Sequence, residues 1–228
     1  MTDLQLPTIA CITGQSDAHL TNIQSHRLHS AIIEDFFALQ NAAKQAGFDL
    51  TIASSFRDFE RQALIWNNKF SGQKPVYNSQ QDVVDLTQLS DIEKCIAIMR
   101  YSALPGASRH HLGTDFDVYD KSAVTHDYQL QLSPHEYEQS GPFAPLSDWL
   151  SSHLQEFGFY RPYREDLNGV APELWHISHI KQSQLLVTQL TESALHACIK
   201  NSDLLGKNAL LAHLPALYKR FVTNVSPP

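Results

Sequence analysis

From Thr114 to Asp120 the chain reads TDFDVYD, an alternation of polar and apolar side chains. Successive side chains of a β-strand point to opposite faces, so this is the pattern of a half-buried strand. Phe116 and Val118 then face a core, which turns Asp115 and Asp117 to the other face. The segment is entered through SRHHLG, Ser108 to Gly113, which sets His110 and His111 just upstream. His110 and Asp117 are seven residues apart. On a regular strand that odd separation would point them to opposite faces, and Gly113 supplies the bend that lets them converge. Taken alone, the segment reads equally as a histidine-rich surface loop followed by an ordinary edge strand.

The surrounding chain predicts an α+β protein. Leu28, Ala31, Ile32, Phe36, Leu39 and Ala43 keep a helical period, predicting a helix from about Ser25 to Ala46 that Gly47 stops. FDLTIASSF reads as a buried strand ending at Arg57, followed by a helix over Asp58–Lys69. SDIE, Ser90 to Glu93, is a capping-box pattern that opens a helix running to about Ser102. Pro105 and Gly106 break the chain before the histidines. A helix is predicted over Leu146–Phe157, stopped by Gly158, and a turn-rich loop then leads to a strand at LWHISHI. From about Lys181 the chain is helical, with Pro215 breaking or kinking it. Helices and strands mix without a βαβα rhythm, which favours α+β over a doubly wound sheet.

With 228 residues and 43% hydrophobic content the chain can bury a full core, so one domain or a domain with an appendage is expected. A net charge of −7 argues against a nucleic-acid or anionic-membrane partner, which needs a basic surface. The longest apolar runs are too short to span a bilayer. MTDLQLPTIACITG has an acid where a signal peptide needs a basic patch, giving a cytoplasmic expectation. Cys11, Cys95 and Cys198 are odd in number and form no CxxC pair, which suits buried thiols rather than a disulfide frame or a thiolate zinc site.

PELWHISH, Pro172 to His179, supplies a second cluster. Glu173 and His176 lie three apart at the start of a predicted strand, so His176 can reach a metal while Glu173 reaches water beside it. Catalytic zinc typically takes three protein ligands from histidine and carboxylate and keeps one position open. Each residue has an ordinary alternative, a solvated carboxylate or a histidine bonded to backbone. Both alternatives holding while the first cluster is also accidental is a poorer account.

S-x-H-x-x-G-x-x-x-D (Ser108, His110, Gly113, Asp117) followed by E-x-W-H (Glu173, Trp175, His176) resembles the paired signature of the VanY-type D-alanyl-D-alanine carboxypeptidases. SSFRDFERQ adds the family's upstream segment at Ser55, Arg57 and Gln62, so the resemblance spans roughly residues 48–179. It implies a zinc peptidase of the hedgehog/D,D-peptidase fold, a small antiparallel sheet flanked by helices. Residues 1–180 would form the catalytic domain and 181–228 a helical extension packed on it. It also implies one Zn2+ per chain held by His110, Asp117 and His176, with Glu173 as general base. Arg57 would stabilise charge on the carbonyl oxygen or grip a terminal carboxylate. Gln62 and Ser108 would hold substrate, and Tyr160 or Tyr163 would stand for the tyrosine often found before E-x-W-H. Asp115 departs from the family pattern, where many relatives have a small residue two before the ligand aspartate. It either orients a ligand histidine from behind or is an exposed strand residue. His111 and His179 should point away from the metal, and Trp66 and Trp149 read as core.

The family's substrates are peptidoglycan stem peptides ending in D-alanine. An unsecreted D,D-carboxypeptidase would waste the cell's own pentapeptide precursors, so L,D-cleavage of recycled tetrapeptides is favoured over D,D-cleavage. The alternatives are a D,D-dipeptidase and a non-catalytic module that binds peptidoglycan peptides; the module would be expected to lack one of His110, Asp117, Glu173 or His176, and all four are present.

Overall fold

The computed structural model of the protein describes residues 7–228. The part of the amino-terminal reading that rests on residues 1–6 lies outside them. A short helix α1 (Ile9–Ile12) precedes a two-stranded hairpin of β1 (Leu20–Ile23) and β2 (His26–His29). Helix α2 (Ile33–Gln45), strand β3 (Leu50–Ser54), helix α3 (Phe59–Phe70) and helix α4 (Asp91–Met99) follow. After the 3-10 turn Arg109–Leu112 come β4 (Asp115–Asp120), α5 (Pro134–Tyr137), α6 (Ala144–His153), β5 (Phe159–Tyr160) and β6 (His176–His179). The chain closes with α7 (Ile180–Val187), α8 (Glu192–Lys200), α9 (Lys207–Ala212), α10 (Leu214–Leu217) and a π-helical turn, Tyr218–Val222. Strands pair antiparallel in the order β3-β4-β6-β5. This is the α+β arrangement the patterning predicts.

The sheet has a greasy face and a polar face. Phe116 and Val118 of β4 and Ile177 of β6 pack with Phe36, Leu39 and Ala43 of α2 and with Leu146 and Leu150 of α6. Asp115, Asp117, His176 and Ser178 alternate with those residues and share the opposite face, where all four are also buried. A second apolar cluster joins Phe59 and Trp66 of α3 and Cys95 and Ile98 of α4 to Leu195, Leu210 and Leu217 of the carboxy-terminal helices. Among the described residues, no helix is long and apolar enough to cross a membrane.

Local chemistry accounts for most boundaries. Asp58 caps α3 by accepting from Arg61 N at 2.7 Å. The Ser90–Glu93 capping box opens α4, which ends at Met99, short of Ser102. Pro215 falls in the first turn of α10, where its missing N–H costs nothing, so it separates two helices rather than kinking one. The predicted helix from Ser25 is wrong over its first turns. His26–His29 is a strand paired with Leu20–Ile23, and the helix proper begins at Ile33 after a 3-10 turn at Ser30–Ile32. Leu28 is buried in the same core as α2, so its position satisfies a helical period by coincidence. The strand after Gly47 is likewise shorter than predicted: it ends at Ser54, and a register shift between Ile52 and Ser54 frees the chain before Arg57.

Trp66 is fully buried and donates its Nε1–H to Leu205 O at 3.0 Å, tying α3 to the carboxy-terminal helices. Trp66→Ala is expected to lower unfolding free energy by about 3–5 kcal/mol in urea titrations. A chain ending at residue 180 should lose the cooperative transition altogether, because the same cluster would lose its carboxy-terminal half.

Candidate metal centre and catalytic cleft

The β4–β6 ladder sets Asp117 directly opposite His176 and Asp115 opposite Ser178. His176 Nδ1 lies 3.0 Å from Asp117 Oδ1. The third member comes from the 3-10 turn. Gly113 ends that turn with φ +68, in the left-handed region, and a side chain there would run into Leu20 and the backbone of His29. The turn thereby folds back over the sheet and brings His110 Nε2 to 3.4 Å from Asp117 Oδ2. One candidate ligand atom from each of His110, Asp117 and His176 falls within 4.8 Å of the others, and all three residues are buried.

The donor set fits a small divalent cation. His110 Nδ1 lies 2.9 Å from Ser55 O, an acceptor, so Nδ1 carries the proton and Nε2 is left to ligate. Burial pushes the His110 imidazole down to about 3, so it is neutral and its contact with Asp117 is not an ion pair. For His176 burial works in the same direction, but the carboxylates of Asp115 and Asp117 outweigh it and raise the ring to about 9. The two carboxylates that raise His176 would equally attract a cation. Two imidazoles and a carboxylate are the ligand types of catalytic zinc.

Glu173 stands at the rim. It precedes β6 in a turn where Glu173 N donates to Tyr163 O at 2.9 Å and His176 N donates to Glu173 O at 3.2 Å. Its carboxylate lies 4.0 Å from His176 Nδ1, with 16% of the side chain exposed to the cleft. Burial raises this carboxyl to about 7 and the charge of Asp117 adds to the rise, against the pull of His176, Arg57 and Lys69. A carboxyl poised there can exchange protons near neutrality.

Arg57 faces the same cleft of about 230 Å³. The cleft is also lined by Ser108, Tyr163 and Trp175. The Arg57 guanidinium is held by Gln62 Oε1 at 2.9 Å and Ser54 Oγ at 3.3 Å, and among the described residues it makes no ion pair. Its backbone is fixed too: Arg57 N donates to His110 O, and His111 Nδ1 donates to Arg57 O at 2.6 Å while its Nε2 accepts from Gly106 N. His111 thus points away from the candidate ligands and serves as a clamp.

Two expected substrate contacts are corrected. Gln62 is fully buried, and its amide is spent between Arg57 and Ala103 O at 2.7 Å, so it orients Arg57 and does not line the cleft. Tyr160 is buried with its hydroxyl 3.4 Å from Arg109 Nη2, whereas Tyr163 lines the cleft. Ser108 lines it as well, with a buried Oγ that has no hydrogen-bond partner among the described residues. Lys69 is a residue that sequence reasoning misses. From the last turn of α3 its Nζ donates to Ser102 Oγ, 2.7 Å away on the cleft wall. Nothing separates it in sequence from a lysine answering the helix dipole.

The family model described as VanY, D-alanyl-D-alanine carboxypeptidase, matches residues 25–182. An uncharacterized protein of Haemophilus influenzae is 48% identical over 98 residues, 41% of this chain and 67% of its own. Among solved structures, a mutant of the vancomycin-resistance D,D-pentapeptidase VanY in complex with Zn(II) aligns with a TM-score of 0.51 at 22% identity. That alignment covers 84% of this chain and 88% of the other. The LD-carboxypeptidase LdcB aligns with a TM-score of 0.51 at 18% identity, covering 88% of this chain and 72% of its own. The two structural likenesses establish the fold, and the match across residues 25–182 establishes the lineage: this chain belongs to the VanY family of D-alanyl-D-alanine carboxypeptidases and is a metallopeptidase of that type.

Proposed function

We propose that the protein is a zinc carboxypeptidase that removes the carboxy-terminal D-alanine from peptidoglycan stem peptides, with L,D-cleavage of tetrapeptides favoured over D,D-cleavage of pentapeptides. The observation that carries the reading is the buried His110, Asp117 and His176 cluster with the Glu173 carboxylate 4.0 Å from His176 Nδ1. The Zn(II) complex of the VanY structure supports zinc as the cation for these ligands. In this reading residues 1–180 form the catalytic unit and residues 181–228 a helical extension packed on it. The L,D preference follows from cell economy. In the compartment where pentapeptide precursors are made, an enzyme that cut D-Ala-D-Ala ends would destroy them, and one that trims recycled tetrapeptides would not.

Zinc at this cluster would supply a Lewis acid, lowering the pKa of a water and polarising the scissile carbonyl. His110 and His176 present neutral nitrogens to it, and Asp117 supplies one negative charge. Glu173 takes a proton from the attacking water at its carboxylate and returns it to the departing amine. The Arg57 guanidinium, held by Gln62 and free of any carboxylate partner among the described residues, is the donor available to a carbonyl oxygen or a terminal carboxylate. The unpaired Ser108 Oγ and the Tyr163 ring would complete the substrate wall.

Incubating the purified protein with tri-, tetra- and pentapeptide stems and weighing the products tests the activity directly. Loss of one D-alanine from the tetrapeptide is expected. Release of a dipeptide would identify a D,D-dipeptidase, and peptide binding without any product would identify a binding module.

Glu173→Gln should retain about one zinc per chain by elemental analysis and lose about 10²–10⁴-fold in kcat. Near-normal turnover in that variant would place the base elsewhere.

The base must be ionised to act. Burial holds Glu173 up near 7, and the charge of a bound cation draws it down toward its ordinary value of 4.5. The acid limb of kcat/KM is therefore expected between 4.5 and 7, with rate lost as pH falls. A rate independent of pH across that window would remove Glu173 from the proton transfer.

A further inference from the structure

Asp115 has no part in the chemistry above, yet it is among the most enclosed charges of the protein. It is fully buried, two residues before Asp117 on the same face of β4. Its Oδ1 accepts from Arg109 Nε at 2.6 Å, and its Oδ2 accepts from Thr114 Oγ1 at 2.7 Å. Arg109 is 7% exposed and reaches across the ladder to donate to Ser178 Oγ at 2.8 Å. The same Asp115 Oδ1 stands 3.5 Å from His176 Nε2, a buried nitrogen with no hydrogen-bond partner among the described residues. His176 therefore lies between two carboxylates, with Asp117 at Nδ1 and Asp115 at Nε2.

A neutral imidazole carries one proton, and the nitrogen without it is the one that can ligate a metal. An ionised carboxylate can only accept. Asp117 is the nearer carboxylate, at Nδ1, but it is also the candidate ligand that would share a cation with that nitrogen. Nδ1 must then be bare, and Asp115 is the acceptor that stands on the Nε2 side to take the proton. We propose that Asp115 is a positioning residue that fixes His176 as its Nε2–H tautomer, so that Nδ1 is the ligating atom, and that Arg109 holds Asp115 back from the cation. The inference rests on the metal site proposed above.

The two histidines are then set by different means. His110 spends Nδ1–H on the backbone oxygen of Ser55 and offers Nε2, whereas His176 would direct Nε2–H toward Asp115 Oδ1, 3.5 Å away, and offer Nδ1. Arg109 explains how a second carboxylate is tolerated so near the first. Its Nε–H and positive charge balance Asp115 at Oδ1 while Thr114 holds Oδ2, leaving a weak acceptor toward His176 and no free charge to compete with Asp117. A buried Arg–Asp pair that merely joined the turn to the strand would not need an oxygen beside a ligand histidine.

The test uses the full chain. Chelator competition on the wild type first measures zinc affinity; a protein that binds no zinc overturns the metal reading and this inference with it. In the zinc-loaded wild type, long-range proton–nitrogen correlation of 15N-histidine, assigned through the His176→Gln variant, should show His176 protonated at Nε2 and bound through Nδ1. Zinc bound through Nε2 of His176 overturns the proposal while leaving the metal site standing.

The second arm compares Asp115→Asn with the double variant R109M/D115A, which removes the buried pair together and strands no charge. Zinc affinity of the double variant should fall about 10–100-fold. Its metal-free Tm should stay close to wild type, and Asp115→Asn, whose amide oxygen can still accept from Nε2–H, should recover part of the loss. A double variant that melts lower but binds zinc as tightly as wild type would reduce the pair to a structural staple. If the double variant fails to fold, the wild-type tautomer still decides the matter.

Discussion

Everything at the candidate site depends on one ladder contact, the placement of Asp117 opposite His176 between β4 and β6. Side chains alternate with a period of two, so a slip of one residue would turn both ligands into the core and bring Phe116 and Ile177 to the cleft. What forbids the slip is the other face of the same strands. Phe116, Val118 and Ile177 are fully buried against α2 and α6, and each is worth roughly 1.5–3 kcal/mol in its burial. The core thus holds the ligands in register without touching them. The polar face could not do so alone, because crowding Asp115, Asp117 and Glu173 together costs free energy until cations oppose them.

The third ligand is not on the ladder, and a different set of constraints delivers it. The turn Arg109–Leu112 is laced to the exit of β3 by three bonds: Arg57 N to His110 O, His110 Nδ1 to Ser55 O, and His111 Nδ1 to Arg57 O. Together these bonds tie two functional residues, His110 and Arg57, to one another. A shift of the turn that moved His110 would also move Arg57, so metal ligation and substrate charge recognition are mechanically joined. Gly113 makes the docking possible, since its left-handed backbone and missing side chain admit the turn against His29 and Leu20.

Much of this is legible in the residues, for physical reasons that differ by element. The alternation at Thr114–Asp120 can be read because a half-buried strand imposes it, and Ser90–Glu93 because a helix start needs its N–H groups satisfied. The gathering of His110, Asp117 and His176 follows from motif order together with the bend at Gly113. What fails is what depends on distant partners. His26–His29 is a strand only because Leu20–Ile23 lies beside it, and no local period distinguishes Leu28 in that strand from Leu28 in a helix. Gln62 is expected at the substrate because its motif neighbours are; that its amide is consumed by Arg57 and Ala103 O is a tertiary fact. Tyr160 and Tyr163 are separable only by seeing which ring the turn after β5 aims at the cleft. Lys69 has no local signature at all.

The site divides its residues by the rigidity each task needs. Metal ligands must hold their geometry closely, and two of them sit on a strand pair bonded along its length while the third is bolted to the exit of β3. The proton carrier has the opposite requirement, since it must receive a proton at the water and deliver it to an amine some distance away. Glu173 lies in the turn just before β6, anchored through its backbone to Tyr163 while its carboxylate makes no hydrogen bond among the described residues. Its neighbour along the chain, Trp175, is locked against Tyr137 and Phe143, so the freedom is confined to one side chain. A base hydrogen-bonded as tightly as Asp115 would be held in place and held ionised, and so unable to carry a proton. The two carboxylates differ in use because Asp115 is bonded to Arg109, whereas Glu173, 4.0 Å from His176 Nδ1, has no hydrogen bond among the described residues.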